Sequence, residues 1–307
     1  ALLCLWKETC GADSDQTPDF ADGGRDEPQQ QGQVGEIKDR GADMNRRLEK
    51  EETGNWITDN TGKFSGRAAI YEKYRPSYPD EFIDYLYTEA GFTENSVVAD
   101  IGAGTGILSR LLAGRGSRVI LAEPNADMLA LAKEKLGNLS NCEFVRASAE
   151  NTGLKDNSVD FVTVAQAFHW FDLEQFRAEC KRILRPGGKV VLVWNDRHNS
   201  GEIDEETFRA NVKYCPEFKG FAGGLKHEPE TYADFFEGGC DFRSFANIKG
   251  LTEDDFINGH LSASYAPEAG TEDFDGYVGA LRDIFHGHER DGIVINRMIT
   301  KSFSGRV

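Results

Sequence analysis

Three glycines at alternate positions, 102, 104 and 106, sit between an apolar run and a helical-looking segment in VADIGAGTGILSRLL, residues 98–112. Lacking Cβ atoms, they can take conformations closed to other residues and lie flat against a ligand. Asp100 stands just ahead of them. A dinucleotide cradle would ask for its last glycine at position 107, which is Ile107. A pyrophosphate would also be repelled by Asp100, whereas a ligand carrying an ammonium or sulfonium group would be attracted. A plain tight turn between strand and helix accounts for the same spacing.

Glu123 closes the next apolar run, 17 residues past Gly106. A carboxylate there can accept from both ribose hydroxyls and disfavours a 2′-phosphate; an ordinary surface glutamate at a strand end looks the same. In ASAENTGL, Ser148 and the backbone of Ala149, followed by Glu150, could meet an adenine edge, although these are common loop residues. Together the charges point to S-adenosylmethionine (SAM) rather than NAD.

Two further stretches carry candidate chemistry. In AFHWFD, His169 has an ordinary pKa near ~6.5, which suits proton removal at neutral pH. It fits a wall of the pocket or a packed ring equally well, and Trp170 fits an aromatic face for a cation or a core residue. In YEKYRPSYP, Tyr71 could reach a reactive centre and Arg75 could clamp a carboxylate bidentately. A Pro-fixed turn with Arg75 in a surface ion pair is the alternative. Arg185–Gly188, RPGG, reads as a tight turn into a strand.

Such residues need a sheet to hold them. SVVADIG, SRVILAEP, CEFVRAS, VDFVTVAQAF and GKVVLVWN read as five strands. Most are separated by helices, among them NADMLALAKEKLGN with Asn125 as its N-cap. Near-continuous apolar strands joined by helical crossovers imply a parallel sheet covered on both faces. Pro79 can open a helix carrying Phe82, Ile83, Leu86 and Tyr87. Residues from about 196 to 240 interrupt the pattern and read as an insertion over the strands' carboxyl edge. DFRSFANI and IVINRMITKSFSGRV, with the helical FDGYVGALRDIF between them, are placed to close the sheet as an antiparallel edge.

Residues 1–50 form a separate block, rich in Asp, Gln and Gly, that cannot bury enough apolar area to offset its ordering entropy. It reads as a disordered extension, with Met44 a plausible start, and residues 51–307 as the functional domain. A net charge of −17 argues against a nucleic-acid partner. Six cysteines without a C-x-x-C pair or metal-ligand spacing to histidine read as reduced thiols of a cytoplasmic protein with no metal. No stretch is long and apolar enough for a membrane span.

The ordered stretches VVADIGAGTG, VILAEPNADML, ASAENTGL, DFVTVAQAFHWFD and LRPGGKVVLVW resemble the successive motifs of class I SAM-dependent methyltransferases. FSGRAAIYEKYRPSYP and SASYAPEAG resemble the small-molecule branch of that family, which includes trans-aconitate methyltransferase-like proteins. The resemblance covers about residues 64–307. It implies a Rossmann-like, doubly wound, mostly parallel seven-stranded α/β sheet with an antiparallel edge strand and a lid. It places Asp100, Gly102 and Gly104 at the methionine part of SAM, Glu123 at the ribose, the backbone of Ala149 at adenine, and Gln166 on the floor after the fourth strand. Ala103, Gly106, Pro124, Ser148 and Glu150 complete the cofactor-binding set. Many relatives carry Asp where this chain has Ser148.

Methyl transfer from a sulfonium is an in-line displacement, so the protein must chiefly align the nucleophile and exclude water. The expected activity is methyl transfer to a small molecule, with His169, Tyr71 and Arg75 as catalytic candidates. Phe218, Phe221, Tyr232 and Phe236 are available either to line an acceptor pocket or to form the lid's own core. A catalytically silent SAM-binding regulator and an NAD(P)-dependent reductase are the rival readings.

Overall fold

The computed structural model describes residues 68–197, 201–224 and 226–307. The block over 1–50, with Met44 and two of the six cysteines, lies outside the described residues, as do the first residues of the expected domain. Seven strands form one sheet: β1 Val97–Ile101, β2 Arg118–Ala122, β3 Cys142–Val145, β4 Val159–Ala165, β5 Leu184–Arg197, β6 Glu237–Leu251 and β7 Val294–Arg306. Their order is β3-β2-β1-β4-β5-β7-β6. The first five pair in parallel. β7 runs antiparallel between β5 and β6, so it lies one strand in from the edge and β6 is the edge. RPGG proves to be an irregularity inside β5, where pairing shifts between Leu184 and Lys189 and Gly187 takes φ 88°.

Alternation along the strands divides the sheet's core into two faces. Val98, Val119, Leu121, Val191 and Val193 face one side. There they meet Phe82 and Leu86 of helix α2 (Asp80–Tyr85, running on into a π turn), Leu108 and Leu112 of α3 (Ile107–Gly114), and Leu136 of α4 (Ala126–Leu136). Ala99, Val162, Val190 and Leu192 face the other side, against Phe176 and Ile183 of α5 (Leu173–Ile183). Asn125 caps α4 as its sequence suggests, its side chain accepting from the N–H groups of Asp127 and Met128. Asp172 caps α5 through Gln175. Each such cap contributes about 1 kcal/mol.

A third core belongs to a cap. Helix α6 (Glu202–Tyr214) supplies Ala210. Cys215 follows it, Val294 joins from β7, and residues between β6 and β7 supply most of the rest, among them Phe256 of α8 (Glu253–Leu261), and Tyr277, Leu281 and Phe285 of α9 (Glu272–His288). Tyr277 donates to Asn211 Oδ1 at 2.6 Å, tying α9 to α6. The expected lid over 196–240 is therefore only part of this cap, because α6 buries its apolar face against a helix distant in sequence. Its start is still strand β5, and its end belongs to the sheet. Tyr232, which ends the short helix α7 (Pro229–Tyr232), and Phe236 pack with Phe168 and Phe303 in the sheet's core. Phe218 and Phe221 instead contact each other and Phe208 in the cap.

Candidate functional site

From β1 the chain turns to β2 on one side, while β4 flanks β1 on the other. A crevice outside the carboxyl ends of such strands is where this architecture binds ligands. Residues 102–106 follow β1 at that end of the sheet, with Gly102, Gly104 and Gly106 at φ 66°, 58° and 83°. Two of these glycines do different work. A Cβ on Gly106 would fall 2.8 Å from Leu136 and 3.1 Å from Leu121, so helix–sheet packing by itself requires glycine there. A Cβ on Gly104 would meet only the Tyr71 ring, at 4.0 Å. Tyr71 stands on helix α1 (Ala68–Tyr74), which thus covers the bend.

The loop's own N–H groups are largely satisfied. Gly102 and Ala103 donate to the Ala122 carbonyl and Gly106 to that of Ala103. Gly104 donates to Glu123 Oε2 at 2.9 Å. Glu123 Oε1 accepts in turn from the Asn125 N–H at 2.9 Å. Burial raises the Glu123 pKa, and the Asn125 and Gly104 N–H groups oppose that rise. A carboxylate thus stands at one end of a bend four of whose N–H donors are already paired.

Asp100 is 1% exposed, and its carboxylate accepts from the hydroxyls of Ser109 and Thr163. Burial pushes its pKa up to about 6, against the pull of those hydroxyls. Each carboxylate oxygen of Asp100 thus has a hydroxyl partner from the fold itself. Ser109 and Thr163 were passed over in the sequence. Thr163 pairs opposite Asp100 in register, and a lone hydroxyl in the apolar run VDFVTVA was the available signal.

Beside the bend, Gln166 follows β4 with φ 62°, a left-handed backbone rare for a side-chain-bearing residue. Its N–H donates to the Val193 carbonyl. Ala149 packs in the same core as Ile101, Ala122 and Ala167. Ser148 bridges to Asn151, the Pro124 carbonyl accepts from Arg146, and Glu150 Oε1 accepts from the Asp172 N–H at 3.0 Å. Arg75 lies 4.9 Å over the Tyr71 ring and donates to the Ser262 carbonyl at 3.3 Å, so it faces the cap rather than a surface ion pair.

His169 stands in a 3-10 turn, Phe168–Trp170. The residue is exposed, while the Trp170 and Trp194 rings approach it at centroid distances of 4.4 and 5.3 Å. Crowding by its surroundings, then the neighbouring His227, lower its pKa from 6.5 to about 4. His227 stacks on Trp194 at 3.9 Å and donates from Nδ1 to Asp196 at 2.6 Å. Among the described residues no group of three His, Cys, Asp or Glu side chains is placed to hold a metal. No described helix is long and apolar enough to cross a membrane.

Residues 99–192 match the model of a methyltransferase domain. An uncharacterised methyltransferase of Mycobacterium bovis is 42% identical over 139 residues, 45% of this chain and 54% of the relative. One of Schizosaccharomyces pombe is 38% identical over 138 residues, again 45% and 54%. The chain spans about half the length of the curated relatives it matches. A candidate type II methyltransferase from Anaeromyxobacter dehalogenans, a solved structure, superposes with TM-score 0.58 at 24% identity. That match covers 76% of this chain and 98% of the other, and it carries the fold.

Proposed function

We propose that residues 99–192, which match the model of a methyltransferase domain, work as a class I, SAM-dependent enzyme, and that the chain transfers a methyl group from SAM to a small, carboxylate-bearing acceptor. One observation carries the choice of donor: four N–H groups of the bend at 102–106 are already paired, one of them to the Glu123 carboxylate. A pyrophosphate needs free N–H donors, so this bend is a poor phosphate cradle. The same bend leaves space over Gly104 and a carboxylate at its end, which suit a positively charged nucleoside. The NAD(P)-dependent reductase reading loses its support here.

In this reading Gly102, Ala103 and Gly104 approach the methionine part through their backbone, and Asp100 contributes its field. Glu123 accepts from the ribose, with Pro124 beside it. Ser148, Ala149 and Glu150 border the adenine, and Gln166 forms the floor. Bound SAM supplies a methyl group on a leaving group already activated by positive charge. The chain's own part is then to position the acceptor and keep water out. Tyr71, over Gly104, covers the bend, and Arg75, stacked on Tyr71, holds the acceptor's carboxylate. His169 is neutral at pH 7 on its lowered pKa and can take a proton from an acceptor that arrives protonated. The trans-aconitate-like resemblance agrees with an acidic acceptor.

Calorimetric titration of the full chain with SAM, S-adenosylhomocysteine and NADH tests the donor, and labelled-methyl transfer to a panel of carboxylic acids tests the reaction. Binding of SAM and its product, with no NADH binding and with release of S-adenosylhomocysteine on turnover, is expected. Stabilisation by NADH with indifference to SAM would sink the proposal. Binding of SAM without turnover of any acceptor would favour the silent regulator. Arg75→Ala should weaken acidic acceptors while leaving SAM binding intact; unchanged turnover would remove Arg75 from the site.

A further inference from the structure

Arg197, the last residue of β5, is held from three sides. Its guanidinium pairs with Asp204 of α6 at 3.5 Å, lies 4.8 Å over the Phe221 ring, and places Nη2 3.3 Å from His260 Nε2 on α8. A guanidinium only donates. His260 Nε2 is therefore the acceptor, and the neutral ring carries its proton on Nδ1. That Nδ1–H is buried without a partner, on a residue 3% exposed. Burial, then the fields of Arg197 and Arg75, hold His260 well below its ordinary pKa, so the ring offers a donor without adding charge.

Arg75 reaches the same ground from the end of α1. It donates to the carbonyl of Ser262, two residues beyond His260, and its Nε–H is a second buried donor without a partner. The fields of both arginines also act on Tyr265. Ser262 and Tyr265 belong to SASYAPEAG, which thereby gains a role. A cleft at the cap is lined in part by Arg197, whose side chain is 22% exposed, and by Asp204. Buried donors left unpaired are costly and rare, and here one lies on the ring that contacts the Arg197 guanidinium and the other belongs to the guanidinium of Arg75. Only one ring, Tyr71, separates Arg75 from the space over Gly104.

We infer that Arg197 and His260, with Arg75, form an anion subsite that takes a carboxylate of the methyl acceptor as a handle. A carboxylate matches the planar fork of a guanidinium with two oxygens. Oxygens so held are poor nucleophiles, so the methyl goes to another atom of the acceptor. The inference rests on the methyl-transfer reading only for its place beside the donor.

The test titrates the chain, saturated with S-adenosylhomocysteine, with benzoate and glutarate, with benzamide and glutaramide as neutral matches, and with inorganic phosphate. Carboxylates should bind at least ten times more tightly than their amides. Arg197→Met should weaken them by about 10- to 100-fold, the range of a lost charged hydrogen bond, with S-adenosylhomocysteine affinity unchanged. Arg197→Lys, which keeps the charge without the fork, should recover part of the loss. With SAM in place of its product, benzoate should be recovered unesterified. Equal binding of amides, preference for phosphate, or unaltered carboxylate binding by Arg197→Met would overturn the subsite, and methyl benzoate among the products would overturn the handle. Should Arg197→Met not fold, the carboxylate–amide comparison on the unaltered chain and Arg197→Lys decide. Should S-adenosylhomocysteine not bind, the methyl-transfer reading falls alone, and the carboxylate comparison on the unloaded chain still decides the subsite.

Discussion

The N–H of Gly104 and the carboxylate of Glu123 meet at 2.9 Å, joining the bend after β1 to the end of β2. The other Glu123 oxygen takes the Asn125 N–H. Glu123→Gln keeps the shape but sets an amide NH2 against one of two backbone donors. Leaving a buried donor unpaired costs about 1–3 kcal/mol. The variant should melt lower and bind SAM at least tenfold more weakly, as read by thermal melts and calorimetry. Unchanged melting would show that the two backbone contacts carry little energy.

Asp100 should link stability and donor binding to pH in opposite senses. Its pKa rises from 3.8 to about 6 in the fold because burial outweighs the Ser109 and Thr163 hydroxyls. Between those values the folded chain binds more protons than the unfolded one, so this group makes stability fall as pH rises through about 4 to 6. The penalty at pH 7 is up to about 3 kcal/mol. A cationic donor favours ionised Asp100, so its affinity should rise with pH through about 6, with protons released on binding. Asp100→Asn should therefore melt higher at pH 7 yet bind SAM more weakly. Calorimetry in buffers of differing ionisation enthalpy measures the released protons, and their absence near pH 5.5 would refute the linkage.

The two glycines that pack differently should separate folding from binding. Gly106→Ala places a methyl against Leu121 and Leu136 at positive φ, so it should destabilise the chain by about 2–3 kcal/mol. Gly104→Ala faces open space, so its stability loss should be nearer the 1 kcal/mol of strained backbone, while its methyl obstructs the bend. Denaturant melts and SAM titrations should thus rank the pair in opposite orders. A Gly104→Ala protein with full affinity would place the donor elsewhere.

What could be read from the sequence follows the range of the forces involved. β1 through β5 are legible because apolar runs and helix-period stretches alternate locally, and Asn125 sits where a cap needs an oxygen. The bend is legible because alternate glycines have few other uses. The cap is only half legible, since α6 finds its apolar partner α9 across the whole of β6. Nothing local distinguishes Tyr232 and Phe236, which pack in the sheet's core, from Phe218 and Phe221, which pack in the cap. Arg197 and His260 are 63 residues apart, and their contact depends on how α8 lies against β5. Arg75 stood out through its Pro-flanked setting, although Ser262 could not be named as its partner.

His169 offers the last check, because its surroundings change what a histidine does at neutral pH. Crowding and the nearby His227 bring its pKa to about 4, so the ring is uncharged from pH 6 to 8. The folded chain then binds fewer protons than the unfolded one between about 4 and 6.5, and this residue's contribution to stability is lost as pH falls through that window. Turnover should accordingly be level from pH 6 to 8 and fall only in more acidic solution. His169→Asn should lower kcat if the ring takes the acceptor's proton, and should raise KM instead if it lines the pocket. An inflection near pH 6.5 that disappears in His169→Asn would show a ring charged near neutrality. It would mean that solvent, rather than the crowding by Trp170 and Trp194, governs the group.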